Sequence, residues 1–463
     1  MNRSIAAVLA GTFTLRFSTG LTGGLFLYYM AGLPDHGGPE VTSFMVGLLT
    51  ATYFIAELVL SPGFGVLSDR LGAHRVMQWG PVFGAVAVIL TAGTTDLFLL
   101  GVTRWLEGAA AGASIPSILG YIAIATSRDE QLRGRTVARF EVATLAGLGI
   151  GAVAAGPMWE LFARFAFLLN AGIYGISFGI YRWGVADLVD HGHARAGTEG
   201  QPLHSGERRP SSFDWARYRS VLSSRRVWLL APTWVALNAI IGSWTTQSVF
   251  QLVRTPSARF DGQLLMGGFA PTQVSAGLGI ALLVFVGGVL YWGGRFKQFR
   301  RTTIIVIGIA GGMLMVGSIF GLNHSQSLGL TGQIPLGLGM LGGLFVLAGA
   351  TPAALGLLAD ISEAHPDDRG AIMGLYSVFL AVGQITGSLA GGGAAEWLGM
   401  DGLLLASVGL LVLATLPVRG LRESEHLVGM ADGHQSEGPA DLLAHALPHS
   451  DEERAREGDP GGS

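Results

Sequence analysis

Apolar residues run along this chain in stretches of about 20, the length a helix needs to cross a lipid bilayer. Short clusters of charge, glycine and proline separate them. The pattern predicts spans over 5–30, 42–67, 76–93, 97–125, 137–160 and 163–183, then 228–251, 272–292, 302–322, 333–360, 370–392 and 401–417. The first run begins after a short polar N-terminus, as a cleavable leader would. Its length, and the spans that follow it, predict a first transmembrane helix instead. A polar stretch over 186–226 carries Arg208, Arg209, Arg217, Arg219, Arg225 and Arg226, and a charged tail expected to be disordered follows Arg419. The expected organisation is a six-helix bundle over 1–185, a central loop over 186–226, a second six-helix bundle over 227–418 and a tail over 419–463.

Composition agrees with lipid as the solvent. Of 463 residues half are apolar and 13% are charged, with a mean hydropathy of +0.48, against about 25% charged in a soluble domain. A soluble enzyme of this length could not cover its surface. Twelve helices of about 20 residues leave roughly 200 for loops and ends. The single lysine, Lys297, follows phenylalanine, so no phosphate-binding loop of the G-x-x-x-x-G-K-[ST] type exists. The absence of cysteine excludes disulfides and thiolate metal sites. The eleven histidines fall in loops, helix ends or tails, and no metal, cofactor or nucleic-acid partner is expected. The net charge of −3 says nothing about partners.

Arginine sets the orientation. With the N-terminus cytoplasmic, the inner loops collect Arg70, Arg75, Arg128, Arg133, Arg135, Arg139, Arg295, Lys297, Arg300, Arg301 and the central cluster, while the other face keeps Arg164, Arg254 and Arg259. Both termini are therefore expected inside, in a multi-pass protein of the cell (inner or plasma) membrane that acts as a monomer.

A repeat appears at a constant offset of 236. It pairs Pro116 with Pro352, Arg133 with Arg369, Gly147 with Gly383, Gly151 with Gly387, Gly156 with Gly392 and Glu160 with Glu396. Two halves in the same orientation are the parallel repeat of rocking-bundle transporters, and the small residues predict close packing by helices 5 and 11. The same offset from Arg104 and Glu107 gives Met340 and Gly343. The frame is duplicated and these charges are not, which places the working chemistry in the first half.

Between helices 2 and 3 the chain reads Gly65-Val-Leu-Ser-Asp69-Arg70-Leu-Gly72-Ala-His-Arg75. This resembles the G-x-L-x-D-R-x-G-R-[KR] signature of the major facilitator superfamily, with Ala73 and His74 departing from it. Arg104 to Gly108 on helix 4 is similar to the family's R-x-x-x-G motif. Gly147, Gly151, Gly156 and Pro157 on helix 5 are similar to a motif of its antiporters, with Ala152 for the first glycine and Glu160-Leu161 for the closing glycine pair. The resemblance implies an all-α membrane protein with twelve helices in two pseudo-symmetric bundles. It also implies that Asp69, with Gly65, Arg70, Gly72 and Arg75, forms a breakable latch against the start of helix 11 near Gly370. A carboxylate at a helix N-terminus gains about 0.3–1 kcal/mol.

Arg16, Glu57, Arg104 and Glu107 fall inside apolar spans, at a cost of roughly 2.5–3.5 kcal/mol each. Arg16 and Glu57 lie at matching depth, and Arg104 and Glu107 are spaced i,i+3, so two ion pairs are geometrically possible. They serve either to fix helix rotation or to work: Glu57 or Glu107 takes a proton and frees Arg16 or Arg104 for substrate. Glu141 and Asp360, at inner helix ends, read as cytoplasmic network members. In the second half Trp234, Asn238, Trp244, Gln247 and Gln251 on helix 7, with Tyr376 and Gln384 on helix 11, are candidates to line a substrate cavity or, equally, to tie helices together. Gly337-Leu-Gly339-Met-Leu-Gly342 fits a dinucleotide pattern but lies in an apolar helix, and Asn323-His-Ser325 is a sequon in a short loop; neither is read as a site.

The expectation is a secondary transporter moving a small organic molecule by alternating access, first as proton-coupled export of an amphipathic compound. Proton-coupled uptake of an organic anion or sugar is the alternative, and a non-transporting receptor or scaffold is a third.

Overall fold

The computed structural model describes residues 3–127, 129–187, 225–296, 298–363, 369–418 and 420–422. Most of the central stretch, the tail, Lys297 and the side chains of Asp360 and Tyr376 lie outside the described residues. The described chain is helical, with no strand. In a bilayer every backbone polar group must find its partner within the chain, and a helix does so within one segment. The elements are α1 (Arg3–Ala31), α2 (Ser43–Leu71), α3 (Trp79–Gly93), α4 (Leu97–Ala125), α5 (Glu130–Phe162), α6 (Phe165–Gly179), α7 (Arg225–Val253), α8 (Pro271–Gly293), α9 (Arg301–Asn323), α10 in two pieces (Gly329–Leu347 and Ala350–Glu363), α11 (Arg369–Leu398) and α12 (Met400–Thr415). Each predicted span falls on one of them. Among the described residues ten helices are long and apolar enough to cross a membrane.

Three boundaries differ from the hydropathy pattern. α5 starts at Glu130, seven residues before the predicted span, where Asp129 caps it by accepting from the Leu132 N–H at 2.8 Å. Its first three turns carry Arg133, Arg135 and Arg139, all exposed; hydropathy marks where lipid begins, and the helix runs past it. α10 breaks at Ala348-Gly349 because Pro352 has no N–H for the carbonyl four residues back. α6 ends in a π turn, Ile180–Gly184.

The repeat is visible in the packing. α1 lies along α5, and α7 along α11. A β-carbon on Gly151 would overlap the Phe17 carbonyl of α1, and one on the repeat partner Gly387 would overlap the Ala239 carbonyl of α7. Gly147 and Gly383 sit one turn away in the same two seams. Without side chains at these points the backbones approach closely, which is how helices associate where lipid removes the hydrophobic drive. The buried apolar residues form two clusters: one drawn from α7 to α12 and its flanks, the other from the first half with Val249, Phe250 and Val274 added from the second.

The halves meet along α2 with α11 and α5 with α8, and they meet unevenly. At the end holding the α1–α2, α5–α6 and α7–α8 loops, here the far end, Gly156 packs on Pro271 and Gly47 on Ser388. Five turns along α5, on the face of Gly156, Ala138 is exposed. On α2, Asp69 and Arg70 are exposed at the arginine-rich end. The halves pack closely at the far end, whereas at the arginine-rich end Ala138, Asp69 and Arg70 are exposed.

Candidate functional site

Arg104 and Glu107 pair on α4, as their spacing predicts. Both are buried, at 5% and 4% exposure, and the Arg104 guanidinium stacks on Phe26 of α1 at 4.0 Å from the ring centroid. Gly108, at the close of the R-x-x-x-G run, brings α4 against α2: a β-carbon there would overlap the Tyr53 carbonyl and lie 3.0 Å from the Glu57 N–H nitrogen. The glycine of this motif therefore sets Glu57 on the helix directly beside the Arg104–Glu107 pair.

Arg16 and Glu57 do not form the second pair. Arg16 is 6% exposed yet makes no hydrogen bond or ion pair among the described residues. Its charge acts without contact on two carboxylates, the half-buried Glu57 on α2 and the exposed Glu141 on α5. Matching depth was legible in the sequence, but helix rotation was not, and rotation decides whether two groups at one level touch. Glu141, read from its position near a helix end as a member of a surface network, shares the field of Arg16. The signal that could have found it is the Gly147 seam one and a half turns further along α5, which lies against Arg16.

The second half does not gather its candidates into one site. Trp234 is buried in the core of that half, and Asn238 donates to the Trp234 carbonyl within α7 at 2.9 Å. Trp244 donates to Ser407 of α12 at 2.9 Å. Gln247, fully buried, donates to the Ser43 carbonyl at 3.0 Å. Gln251 donates to the Ser43 hydroxyl at 2.8 Å and to Gln247 at 2.9 Å. The two glutamines tie α7 to the start of α2 at the far end, as the helix-tying reading of these residues expects. Gln384 keeps a free acceptor: its Oε1 is buried against Gly242 without a partner. The side chain of Tyr376 lies outside the described residues.

The far-end seal continues around the rim. Tyr28 of α1 lies 3.1 Å from Ser275 of α8, which also accepts from the Gly156 N–H at 2.9 Å. Arg254, beyond the end of α7, donates to Ser43 at 3.4 Å; burial pushes its pKa down, and the Glu396 and Glu40 carboxylates push it back up.

At the arginine-rich end the α2–α3 turn is built as the motif requires. Gly72 takes φ 92°, open only to glycine at low cost. Arg75 reaches Asp187 at 3.9 Å. His74, one of the motif's departures, is buried and lies 3.1 Å from the Tyr181 carbonyl, tying the turn to the π turn after α6. The Asp69 carboxylate is exposed and has no hydrogen bond or ion pair among the described residues. The dinucleotide-like glycines lie inside α10. The sequon asparagine, Asn323, is buried, donates to Asp401 at 2.9 Å and accepts from the Leu265 N–H at 3.0 Å. No cluster of metal-ligating side chains occurs among the described residues.

Two like-built helical halves that cross a membrane, with charges buried inside the first of them, have the build of a membrane transport protein. The chain belongs to the Major Facilitator Superfamily, whose sequence pattern matches residues 8–345; it is a multi-pass secondary transporter and not an enzyme. It is 26% identical over 178 residues to the quinolone resistance protein NorA of Staphylococcus aureus (strain MRSA252), covering 38% of this chain and 43% of that one. It is 28% identical over 114 residues to the multidrug resistance protein MdtG of Serratia proteamaculans (strain 568), covering 25% and 27%. These matches span less than half the length of either relative. The fold is similar to the crystal structure of the nucleoside transporter NupG, with a TM-score of 0.66 at 14% identity over 91% of this chain and 99% of that one.

Proposed function

We propose that the protein exports an amphipathic small molecule in exchange for protons, with the arginine-rich end and both termini in the cytoplasm of a cell whose inner or plasma membrane holds it as a monomer. The observation that carries this reading is Arg16: a nearly buried cation with no direct partner, whose charge acts on Glu57 and Glu141 beside the Arg104–Glu107 pair. Two carboxylates in the field of one guanidinium leave a surplus negative charge, which a proton can neutralise. Proton arrival at Glu57 or Glu107 would release an arginine from its field, and proton departure would reclaim it.

On this reading a compound would enter from the arginine-rich side. Arg16 would offer it a polar anchor, while Trp234 and Asn238 back the wall from behind. Reorientation would then close Asp69 onto the start of α11 and open the far end. One proton crossing about 150 mV yields roughly 3.4 kcal/mol, enough for a gradient of a few hundred-fold.

Export is favoured by the two relatives named for drug resistance, and quinolones are natural first probes. The unpartnered Arg16 also suits a carboxylate-bearing substrate, which supports proton-coupled uptake of an organic anion as the second reading. The receptor alternative lapses with membership of a transporter family.

Proteoliposomes with an imposed pH gradient and a pH dye inside separate these readings. Quinolone-dependent proton flux through the parent, absent in Glu57→Gln and Glu107→Gln while substrate exchange without a gradient persists, is the expected result. Full gradient-driven transport in both variants would sink the assignment of the coupling carboxylates.

A further inference from the structure

The carboxylate that replaces a glycine in the antiporter-like motif of α5 has a partner in the other half. Glu160 Oε1 accepts from both the backbone N–H and the hydroxyl of Thr272, each at 2.9 Å, and Thr272 is the second residue of α8. Its repeat partner Glu396 accepts from the backbone N–H of Phe44 at 3.0 Å, and Phe44 is the second residue of α2. The glycines one turn earlier repeat as well. A β-carbon on Gly156 would overlap the Pro271 carbonyl, and one on Gly392 would lie 2.8 Å from the Ser43 carbonyl. Pro271 and Ser43 are the first residues of α8 and α2. Ser275 and Gly47, each four residues further on, lie under the same two glycines.

A Gly-x-x-x-Glu segment thus occurs twice, 236 residues apart. Each copy docks on the first turn of the second helix of the opposite half. A single such hydrogen bond would be a packing detail. Two at equivalent positions, both between halves and both at the far end, are different. Each also sets a carboxylate at a helix N-terminus, where the backbone dipole favours negative charge.

We propose that Glu160 and Glu396 are positioning residues of the transport cycle, a duplicated latch that holds the far end closed while the arginine-rich end is open. The proposal rests on the alternating-access reading above. It makes the far-end latch the counterpart of Asp69: one carboxylate–dipole contact engages in each state, and the structure has the far-end contacts made with Asp69 exposed. The substitution of glutamate for the motif's glycine is then a functional gain at the rim.

The chain has no cysteine, so two spin labels can be placed without background. Phe98→Cys and Leu330→Cys, at residues 78% and 74% exposed near the starts of α4 and α10, report the separation of the halves at the far end. In lipid nanodiscs the Glu160→Ala/Glu396→Ala double variant is expected to raise the long-distance, open fraction about tenfold, and each single variant about threefold in the same direction. Glutamine variants, which keep the acceptor and lose the charge, are expected to shift it less. Melting that falls while the distances stay those of the parent would make the glutamates packing residues and overturn the proposal. Should the double variant fail to fold, unchanged distances in both single alanine variants overturn it equally. If parent and variants alike never reach the longer distance, alternating access fails and the latch with it. Silent variants in a parent that does reach it overturn the latch alone.

Discussion

Arg104 and Arg16 are both buried cations in the first half, and they are held in opposite ways. Arg104 is neutralised by Glu107 and covered by Phe26, so removing its partner strands a charge in a site with little water. Glu107→Gln is expected to destabilise the protein by about 3–5 kcal/mol, read as a lower melting temperature in detergent. Replacing both residues with neutral ones of similar size should recover much of that loss. Arg16 has no such partner to strand, so Arg16→Gln should lower the melting temperature less than Glu107→Gln does, while removing transport of carboxylate-bearing compounds. A melting loss for Arg16→Gln equal to that of Glu107→Gln would mean that Arg16 is a structural cation. The i,i+3 pair was legible in the sequence because both partners ride one helix. The Arg16–Glu57 relation was legible only as depth, since partners on different helices depend on rotations that no spacing reveals. Gln247 and Gln251 show the same limit: amides on an apolar helix signal a partner, and the identity of that partner, Ser43 of the opposite half, belongs to the tertiary fold.

Among the elements, α5 and α11 carry the repeat most plainly. Gly151 and Gly387 do the same job on α1 and α7, so Gly151→Leu and Gly387→Leu should cost similar stability, on the order of 1–3 kcal/mol or more through overpacking. Thermal denaturation of the two variants side by side checks it, and a loss confined to one would break the equivalence. α2 holds the other elemental test. Asp69 has no partner among the described residues, so Asp69→Asn should leave the stability of this state unchanged and weaken only the opposite state, in which the cleft shuts at the arginine-rich end. Labelled pairs across that end should then show the closed population reduced. Helix number and order followed directly from apolar run length, because lipid leaves few other solutions. The early start of α5 and the break in α10 did not, since hydropathy records the bilayer edge while caps and prolines set where a helix begins and stops.

At the scale of the molecule, the halves share a frame and divide the labour. Paired glycines and paired rim glutamates appear in both halves, whereas the Arg104–Glu107 pair has Met340 and Gly343 at the equivalent positions. On the proposed reading, the symmetric frame would rock and the asymmetric charge set would give that rocking a driving ion. The central claim is that proton movement through the first half drives transport through the cleft. Reconstituted protein carrying a pH dye, given an imposed pH gradient and a fluorescent amphipathic probe, tests it most directly. The account predicts proton influx that starts on addition of probe and is lost in Glu57→Gln, with probe exchange across the membrane retained. Probe movement that neither carries protons nor responds to the gradient would contradict it.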